Sequence, residues 1–231
     1  KQGADTNYLY GMAFAIKADQ ALASGITDGT VSTFLLDAQN FLEQALEDDG
    51  PRFDDAYVIL AKVARGNFDL DAAIAAGTKA VEYYPKDPVA RIALGTAQLD
   101  RYSQISNDEA RKEELVQLGN DMLANLQLGA ETLPVEKDRT RASEFARGWK
   151  KLAEAQLWLK DSRGAGVSYG EAMAWDPTQV DFGQLWTSLG DGFIASLDLG
   201  KKAFQRRYGK DSQSDALLLW WLGYARFYNG N

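Results

Sequence analysis

The sequence predicts an all-α fold built from stacked antiparallel helical hairpins. Apolar residues recur at three- and four-residue spacing along nearly the whole chain, which is the periodicity of helices with one buried face. The alternating, β-branched segments that mark strands are missing. Breakers such as Gly66, Pro85, Pro134 and Pro177 divide the chain into helices joined by short loops. Loops this short favour antiparallel pairs of neighbouring helices.

The first hairpin illustrates how each element is assigned. Phe14 and Leu22 belong to one apolar helical stripe, and Ser24-Gly25 supplies the residue types that end a helix. A second helix is expected to begin near Thr30 and to end before Asp49-Gly50-Pro51. The same reasoning predicts one domain over residues 1–231, with hairpins at roughly 4–48, 54–87, 88–133, 146–179 and 181–208 and a final helix at 215–228.

An internal repeat supports stacked hairpins over a closed bundle, since a fixed offset between distant positions is typical of repeated supersecondary units. An offset of 92 residues aligns seven positions of matching type. The pairs are Tyr57 with Trp149, Leu60 with Leu152, Ala61 with Ala153, Ala73 with Ala165, Gly77 with Tyr169, Ala80 with Ala172 and Pro85 with Pro177.

This order of residues resembles the tetratricopeptide repeat family, whose unit of about 34 residues reads W-x2-L-G-x2-Y, A-x3-F and then P. The resemblance is strongest over residues 54–87 and 146–179. It implies a divergent, right-handed solenoid of hairpins. Leu219, Leu222 and Gly223 open a last unit that stops at Asn229-Gly230-Asn231. We interpret this as a shortened chain or as a final helix that caps the array.

The composition excludes most catalytic and metal chemistry. The chain has no cysteine and no histidine, so it lacks thiol nucleophiles, imidazole bases, disulfides and the usual zinc ligands. Catalysis by carboxylates alone is the enzyme alternative, but nothing in the sequence distinguishes a catalytic pair. We expect a protein that is not an enzyme and that has no cofactor and no metal site.

Three short motifs have simpler interpretations than ligand binding. The acidic group at Glu47, Asp48, Asp49, Asp54 and Asp55 does not have the spacing of a calcium loop, and we expect Asp54 or Asp55 to cap the next helix. Gly164-x-Gly166 with Gly170 follows no strand, so we interpret it as a hairpin turn. Arg206, Arg207 and Lys210 lie where a helix ends, and there cations interact favourably with the helix dipole.

The tetratricopeptide resemblance implies that the first helix of each hairpin lines a concave, partner-binding face. Members that clamp an acidic chaperone tail place Lys and Asn four residues apart, a pattern that Val58 with Lys62 and Lys150 with Glu154 break. A more apolar or extended peptide, or a helix of another subunit, fits better. The predicted concave residues are Val58, Lys62, Arg65, Ile92, Thr96, Leu99, Lys150, Glu154, Trp158, Trp220, Tyr224 and Phe227.

We therefore expect a scaffold or adaptor that holds another protein within a larger complex. The net charge of −8 disfavours nucleic acid as a partner, and no apolar segment is long enough to span a membrane. The alternative is a solute-binding or accessory component of a bacterial envelope transport system, for which a closed, aromatic-lined cavity would be evidence. The absence of cysteine slightly favours the bacterial periplasm over the cytoplasm. No charged-then-apolar leader follows Lys1, so we expect this sequence to be either a processed mature form or a trimmed one. An envelope location allows a lipid anchor on a segment outside this sequence.

Overall fold

The computed structural model describes residues 3–49, 53, 55–133, 140–209 and 215–229. These residues form α-helices, two short 3₁₀ turns and no strand, so the prediction of an all-α fold is confirmed. Backbone contacts divide the chain into two compact units, which we call unit 1 (Lys1–Asn125) and unit 2 (Leu126–Asn231).

The helices follow one another through short connections. Those that begin in unit 1 are α1 (Ala4–Ala23), α2 (Gly29–Asp49), α3 (Ala56–Gly66), α4 (Leu70–Tyr83), α5 (Pro88–Ile105) and α6 (Lys112–Glu131). Those of unit 2 are α7 (Ala142–Trp158), α8 (Ser162–Trp175), α9 (Phe182–Leu189), α10 (Gly192–Tyr208) and α11 (Ala216–Tyr228).

Aspartate caps set the first residues of several helices. The side chains of Asp69, Asp87, Asp161, Asp181 and Asp215 each accept a hydrogen bond from a backbone N–H in the first turn of the helix that follows. These N–H groups have no partner within the helix, so each cap satisfies a donor that would otherwise depend on water. These aspartates therefore help to fix where the helices begin.

The core of unit 1 lies between α2, α3, α4 and α5. Leu42, Ala56 and Ala80 are completely buried there. Gly77 lies where α4 meets α5, and a Cβ at this position would come within 2.9 Å of the Cα atom of Leu94. A side chain larger than hydrogen would force these two helices apart.

The core of unit 2 forms where α8, α10 and α11 pack together. Met173, Leu197 and Leu218 are fully buried in it. Helices α8 and α10 approach closely at a pair of glycines, since a Cβ on Gly170 would lie 3.1 Å from the backbone nitrogen of Gly200.

The 92-residue repeat is a structural repeat. Adding 92 to the bounds of α4 (Leu70–Tyr83) gives the bounds of α8 (Ser162–Trp175). Ala73 and Ala165 are both fully buried, as are Ala80 and Ala172. Small residues recur at these positions because each lies at a close contact between helices.

Candidate functional site

A cleft runs along unit 1 beside α1, α3 and α5. It consists of a hollow of about 760 Å³ and a smaller hollow of about 190 Å³, which share Asp19, Leu35 and Lys62. We call the two together the unit 1 cleft. Its lining residues are Met12, Ala15, Ile16, Asp19, Leu22, Leu35, Ile59, Lys62, Val63, Arg65, Gly66, Phe68, Leu70, Asp100, Ser103 and Gln104.

The charged side chains of the cleft fall into two kinds. The Nε atom of Arg65 lies 2.8 Å from an oxygen of Asp100, so these two charges neutralise each other. Lys62 and Asp19 are exposed and have no hydrogen-bond or ion-pair partner among the described residues. An apolar surface with two uncompensated charges of opposite sign can orient a ligand that carries the matching groups.

Phe68 stands at the rim of the cleft in an unusual conformation. It follows α3 in a turn in which the Phe68 N–H donates to the carbonyl of Arg65 and the Asp69 N–H donates to that of Ala64. Its φ is 61°, in the left-handed region, and its side chain is 90% exposed. Left-handed backbone costs a residue with a side chain about 1–2 kcal/mol. The phenyl ring is therefore held in solvent at the rim of the cleft.

The predicted concave-face residues of unit 1 fall into two groups. Lys62 and Arg65 line the unit 1 cleft, and their role in partner binding stays a prediction. Val58, Thr96 and Leu99 are buried, and Ile92 is half-buried.

The buried positions have a common physical reason. Val58 packs into the unit 1 core. Helix α5 packs against both α3 and α4, so the face that carries Thr96 and Leu99 is enclosed. The Thr96 hydroxyl donates to the carbonyl of Ile92 at 2.6 Å and is satisfied within its own helix.

Helix α7 of unit 2 carries three of the predicted residues. Lys150 lies 3.9 Å from Glu154, and the ammonium of Lys151 donates to the same carboxylate at 2.7 Å. Trp158, at the end of this helix, is exposed. Glu154 is therefore already paired with lysines.

The last three predicted residues lie on one exposed surface of α11. Trp220 stacks on Tyr224 with ring centroids 5.1 Å apart, and Tyr224 contacts Tyr228 at 4.6 Å. The ring of Phe227 meets that of Tyr228 edge-on at 5.5 Å. We call Trp220, Tyr224, Phe227 and Tyr228 the α11 aromatic face. A hydrogen bond between Tyr228 and Tyr224 raises the pKa of Tyr224, and burial raises it further.

Sequence reasoning missed several residues of the cleft. Asp19 and Ile16 come from α1, a helix left out when the concave positions were assigned. Phe68 was missed because it lies in a turn, although an aromatic residue directly after Gly66-Asn67, where small residues are usual, was a visible indication. Asp100 was also missed, and it directly follows the buried stretch of α5.

The short acidic, glycine and basic motifs have structural roles within the described residues. Of the two aspartates expected to cap α3, Asp55 makes no capping hydrogen bond, and its carboxylate accepts a hydrogen bond from the Tyr8 hydroxyl at 2.6 Å. Asp54 and Lys210 lie outside the described residues. Gly164, which we expected in a turn, lies within α8. Arg206 and Arg207 both pair with Glu171, at 2.6 and 2.9 Å.

The described part of the chain contains no group of three acidic side chains placed to hold a metal ion. None of its helices has the length and apolar character needed to cross a membrane.

Comparison with known proteins identifies the fold. No protein-family model matches the chain, and no curated protein matches it. A solved structure of a thermophilic tetratricopeptide repeat protein from Thermus thermophilus is similar, with a TM-score of 0.57 and 18% sequence identity. The match covers 94% of this chain and 99% of the other. The fold is therefore that of a divergent tetratricopeptide-like helical repeat, as the spacing of residues predicted.

Proposed function

We propose that this chain is a non-enzymatic scaffold that binds a peptide segment of another protein in the unit 1 cleft. The observation that carries the proposal is that two unusual side chains occur together in this cleft. Lys62 is a cation without a partner among the described residues, and Phe68 is an exposed ring in a strained turn. Both line the same cleft. The similarity to a tetratricopeptide repeat protein supports the proposal at the level of fold.

The dimensions of the cleft suit a few side chains of a bound segment. Its larger hollow, of about 760 Å³, lies within the range of roughly 300–1,000 Å³ that buries a small ligand or several peptide side chains. Apolar residues such as Leu22 and Leu35 line this larger hollow, and Ile16 lines the smaller one. Burial of apolar surface against these side chains supplies affinity, and the few charged groups supply orientation.

The charges of the cleft define the chemistry of the segment. Lys62 would pair with an acidic side chain of the partner, and Asp19 would pair with a basic one. Arg65 and Asp100 already neutralise each other across 2.8 Å. We therefore propose an apolar segment that carries one acidic and one basic residue. The net charge of −8 favours a partner that is neutral or basic overall.

The experiment selects short random peptides, displayed on phage, against the full chain and measures the affinity of the selected peptides by calorimetry. We expect Lys62→Glu and Phe68→Ala each to weaken binding roughly ten-fold or more, as loss of a central interface residue does. The matched controls are Lys202→Glu, at an exposed lysine of α10, and Lys160→Ala, at the turn of unit 2 equivalent to that of Phe68. Neither control should alter the affinity.

The salt dependence gives a second readout. Because Lys62 pairs with an acidic group at a partly exposed site, binding should weaken as ionic strength rises. If no peptide is selected, or if selected peptides bind Lys62→Glu and Phe68→Ala as tightly as the parent, the cleft is not a peptide site.

A further inference from the structure

Helix α11 exposes an unusually large apolar surface. Trp220 is 57% exposed, Tyr224 37%, Phe227 77% and Tyr228 63%. Leu218, Leu222 and Ala225, on the opposite side of the helix, are buried in the core of unit 2. The helix is therefore anchored from one side while its aromatic side is uncovered.

The exposed rings form a continuous surface of the size that interfaces need. An aromatic side chain presents about 150–250 Å², so the exposed fractions of the four rings leave roughly 450 Å² uncovered. Leu217 and Leu219 beside them are also exposed. The largest apolar patch on a typical monomer measures about 300–600 Å² and often marks an interaction site. Two such faces together bury roughly 1,000 Å², about the minimum for a specific interface.

We propose that a second copy of this chain covers the α11 aromatic face, with the two α11 helices antiparallel about a two-fold axis. Trp220 and Phe227 are seven residues apart, about 10.5 Å along the helix, and their midpoint falls at Gly223 and Tyr224. A two-fold axis there places Trp220 of each copy against Phe227 of the other. Such an interface uses the same patch twice and closes at a dimer.

Gly223 allows the two α11 helices to approach each other as closely as this pairing requires. It lies on the exposed side of α11, and a Cβ built on it meets no atom within 4 Å. The helix itself thus has room for a side chain, and glycine in a helix interior is unfavourable. In the paired arrangement, Gly223 leaves a gap between Trp220 and Phe227 that accommodates the opposite helix.

The charges around the face are compatible with self-association. Arg226 is the one charged residue between Ala216 and Tyr228, and its guanidinium donates to Asp198 at 2.8 Å. Within α11, therefore, no uncompensated charge meets its like across the axis. The net charge of −8 on each copy repels at longer range, so dimerisation should strengthen as salt rises. This is opposite to the salt dependence expected of the unit 1 cleft.

The test is sedimentation of the full chain over a range of concentrations at about 50 mM and 500 mM salt. We expect a monomer–dimer equilibrium with a Kd on the order of 10 μM, since the interface is at the small end of the range. Phe227→Glu and Gly223→Gln should each raise the Kd roughly ten-fold or more. Leu9→Glu, at a residue of α1 that is 65% exposed, is the matched control and should leave the Kd unchanged.

Gly223→Gln also distinguishes a loss of dimerisation from a loss of folding. Because this position has open space in the single chain, the variant should keep the helical circular dichroism and thermal midpoint of the diluted parent. A chain that stays monomeric up to about 200 μM, twenty times that Kd, overturns the proposal. A dimer whose Kd neither variant raises also overturns it. So does the formation of oligomers larger than a dimer that Lys62→Glu abolishes, because that result would place α11 in the cleft of another copy.

Discussion

Phe68 and Lys160 occupy the same position in two equivalent turns, and both have left-handed backbone, with φ values of 61° and 65°. In each turn an aspartate follows, Asp69 or Asp161, and caps the next helix through a backbone N–H three residues on. The turn geometry is thus a property of the repeat, whereas the exposed ring is a property of unit 1 alone. The two positions form a matched pair for experiments.

Glycine at either turn position should stabilise the fold. We expect Phe68→Gly and Lys160→Gly each to raise the free energy of unfolding by about 0.5–1 kcal/mol, because relief of the left-handed strain exceeds the added entropy of the unfolded chain. Urea unfolding followed by circular dichroism measures this change. Only Phe68→Gly should also weaken peptide binding. If Phe68→Gly and Lys160→Gly bind the selected peptides with equal affinity, Phe68 is not part of the binding site.

Alanine at Gly77 should destabilise unit 1. The added Cβ would lie 2.9 Å from the Cα atom of Leu94, and backbone cannot move aside as a flexible side chain can. Overpacking of this kind outweighs the gain in helix propensity and leaves a net loss of about 1–2 kcal/mol. In Gly166→Ala, the matched control in α8, the new Cβ would be 3.9 Å from Ser196. This control should gain about 1 kcal/mol, and a loss similar to that of Gly77→Ala would refute the packing argument.

Arg207 should contribute far more to stability than its neighbour Arg206. Both pair with Glu171, but the Arg207 guanidinium also lies 3.7 Å from the ring centroid of Trp175 and its side chain is mostly buried. We expect Arg207→Ala to cost about 2–3 kcal/mol in a urea titration.

Arg206→Ala is the control, because this side chain is largely in solvent and surface ion pairs contribute little. Arg207→Lys keeps the charge but not the planar contact with Trp175, so it should fall between the two. Equal effects of Arg206→Ala and Arg207→Ala would contradict the assignment.

The hydrogen bond from Ser143 to Asp176 should make the free energy of unfolding depend on pH in the acidic range. Burial alone would raise the pKa of Asp176, but hydrogen bonds from Ser143, Thr178 and Gln179 together lower it below its ordinary value of 3.8. A lowered pKa stabilises the folded state above pH 3.8, and this stabilisation disappears as the pH falls through the folded pKa. Ser143→Ala should therefore be less stable than the parent at neutral pH.

The difference in unfolding free energy between Ser143→Ala and the parent should narrow as the pH falls below 3.8 and through the lowered pKa of Asp176, because the carboxylate then becomes protonated. Urea midpoints measured in steps from neutral pH downward follow this difference. Ser188→Ala is the control, since this hydroxyl donates to the carbonyl of Gln184 within its own helix and touches no carboxylate. A gap for Ser143→Ala that does not change with pH would show that Asp176 does not mediate the effect.

Local chemistry made much of the fold predictable. The buried alanines at positions 73 and 165 mark where helices cross, and the aspartates at 69 and 161 mark where helices begin. Each of these features depends on residues within a few positions of it or on the repeat itself. The all-α class, the repeat and the helical hairpins could therefore be inferred before any coordinates.

Contacts between distant residues explain where the predictions failed. The Asp55 carboxylate makes no capping hydrogen bond to α3 and instead accepts one from Tyr8, 47 positions earlier in the chain. Thr96 and Leu99 do not face a groove because α3 and α4 enclose that side of α5. A helical periodicity indicates which residues share a face, but it does not indicate which faces a neighbouring helix will cover.

The sequence by itself determined the helices, their caps and the 92-residue repeat, because these follow from apolar spacing and from short-range hydrogen bonds. Only the tertiary structure decided which surfaces stay uncovered. It brought Asp19, Lys62 and Phe68 together around one cleft and left Trp220 and Phe227 exposed on α11. The physical reason is that exposure depends on the packing of whole helices, and that packing is set by contacts between residues far apart in the chain.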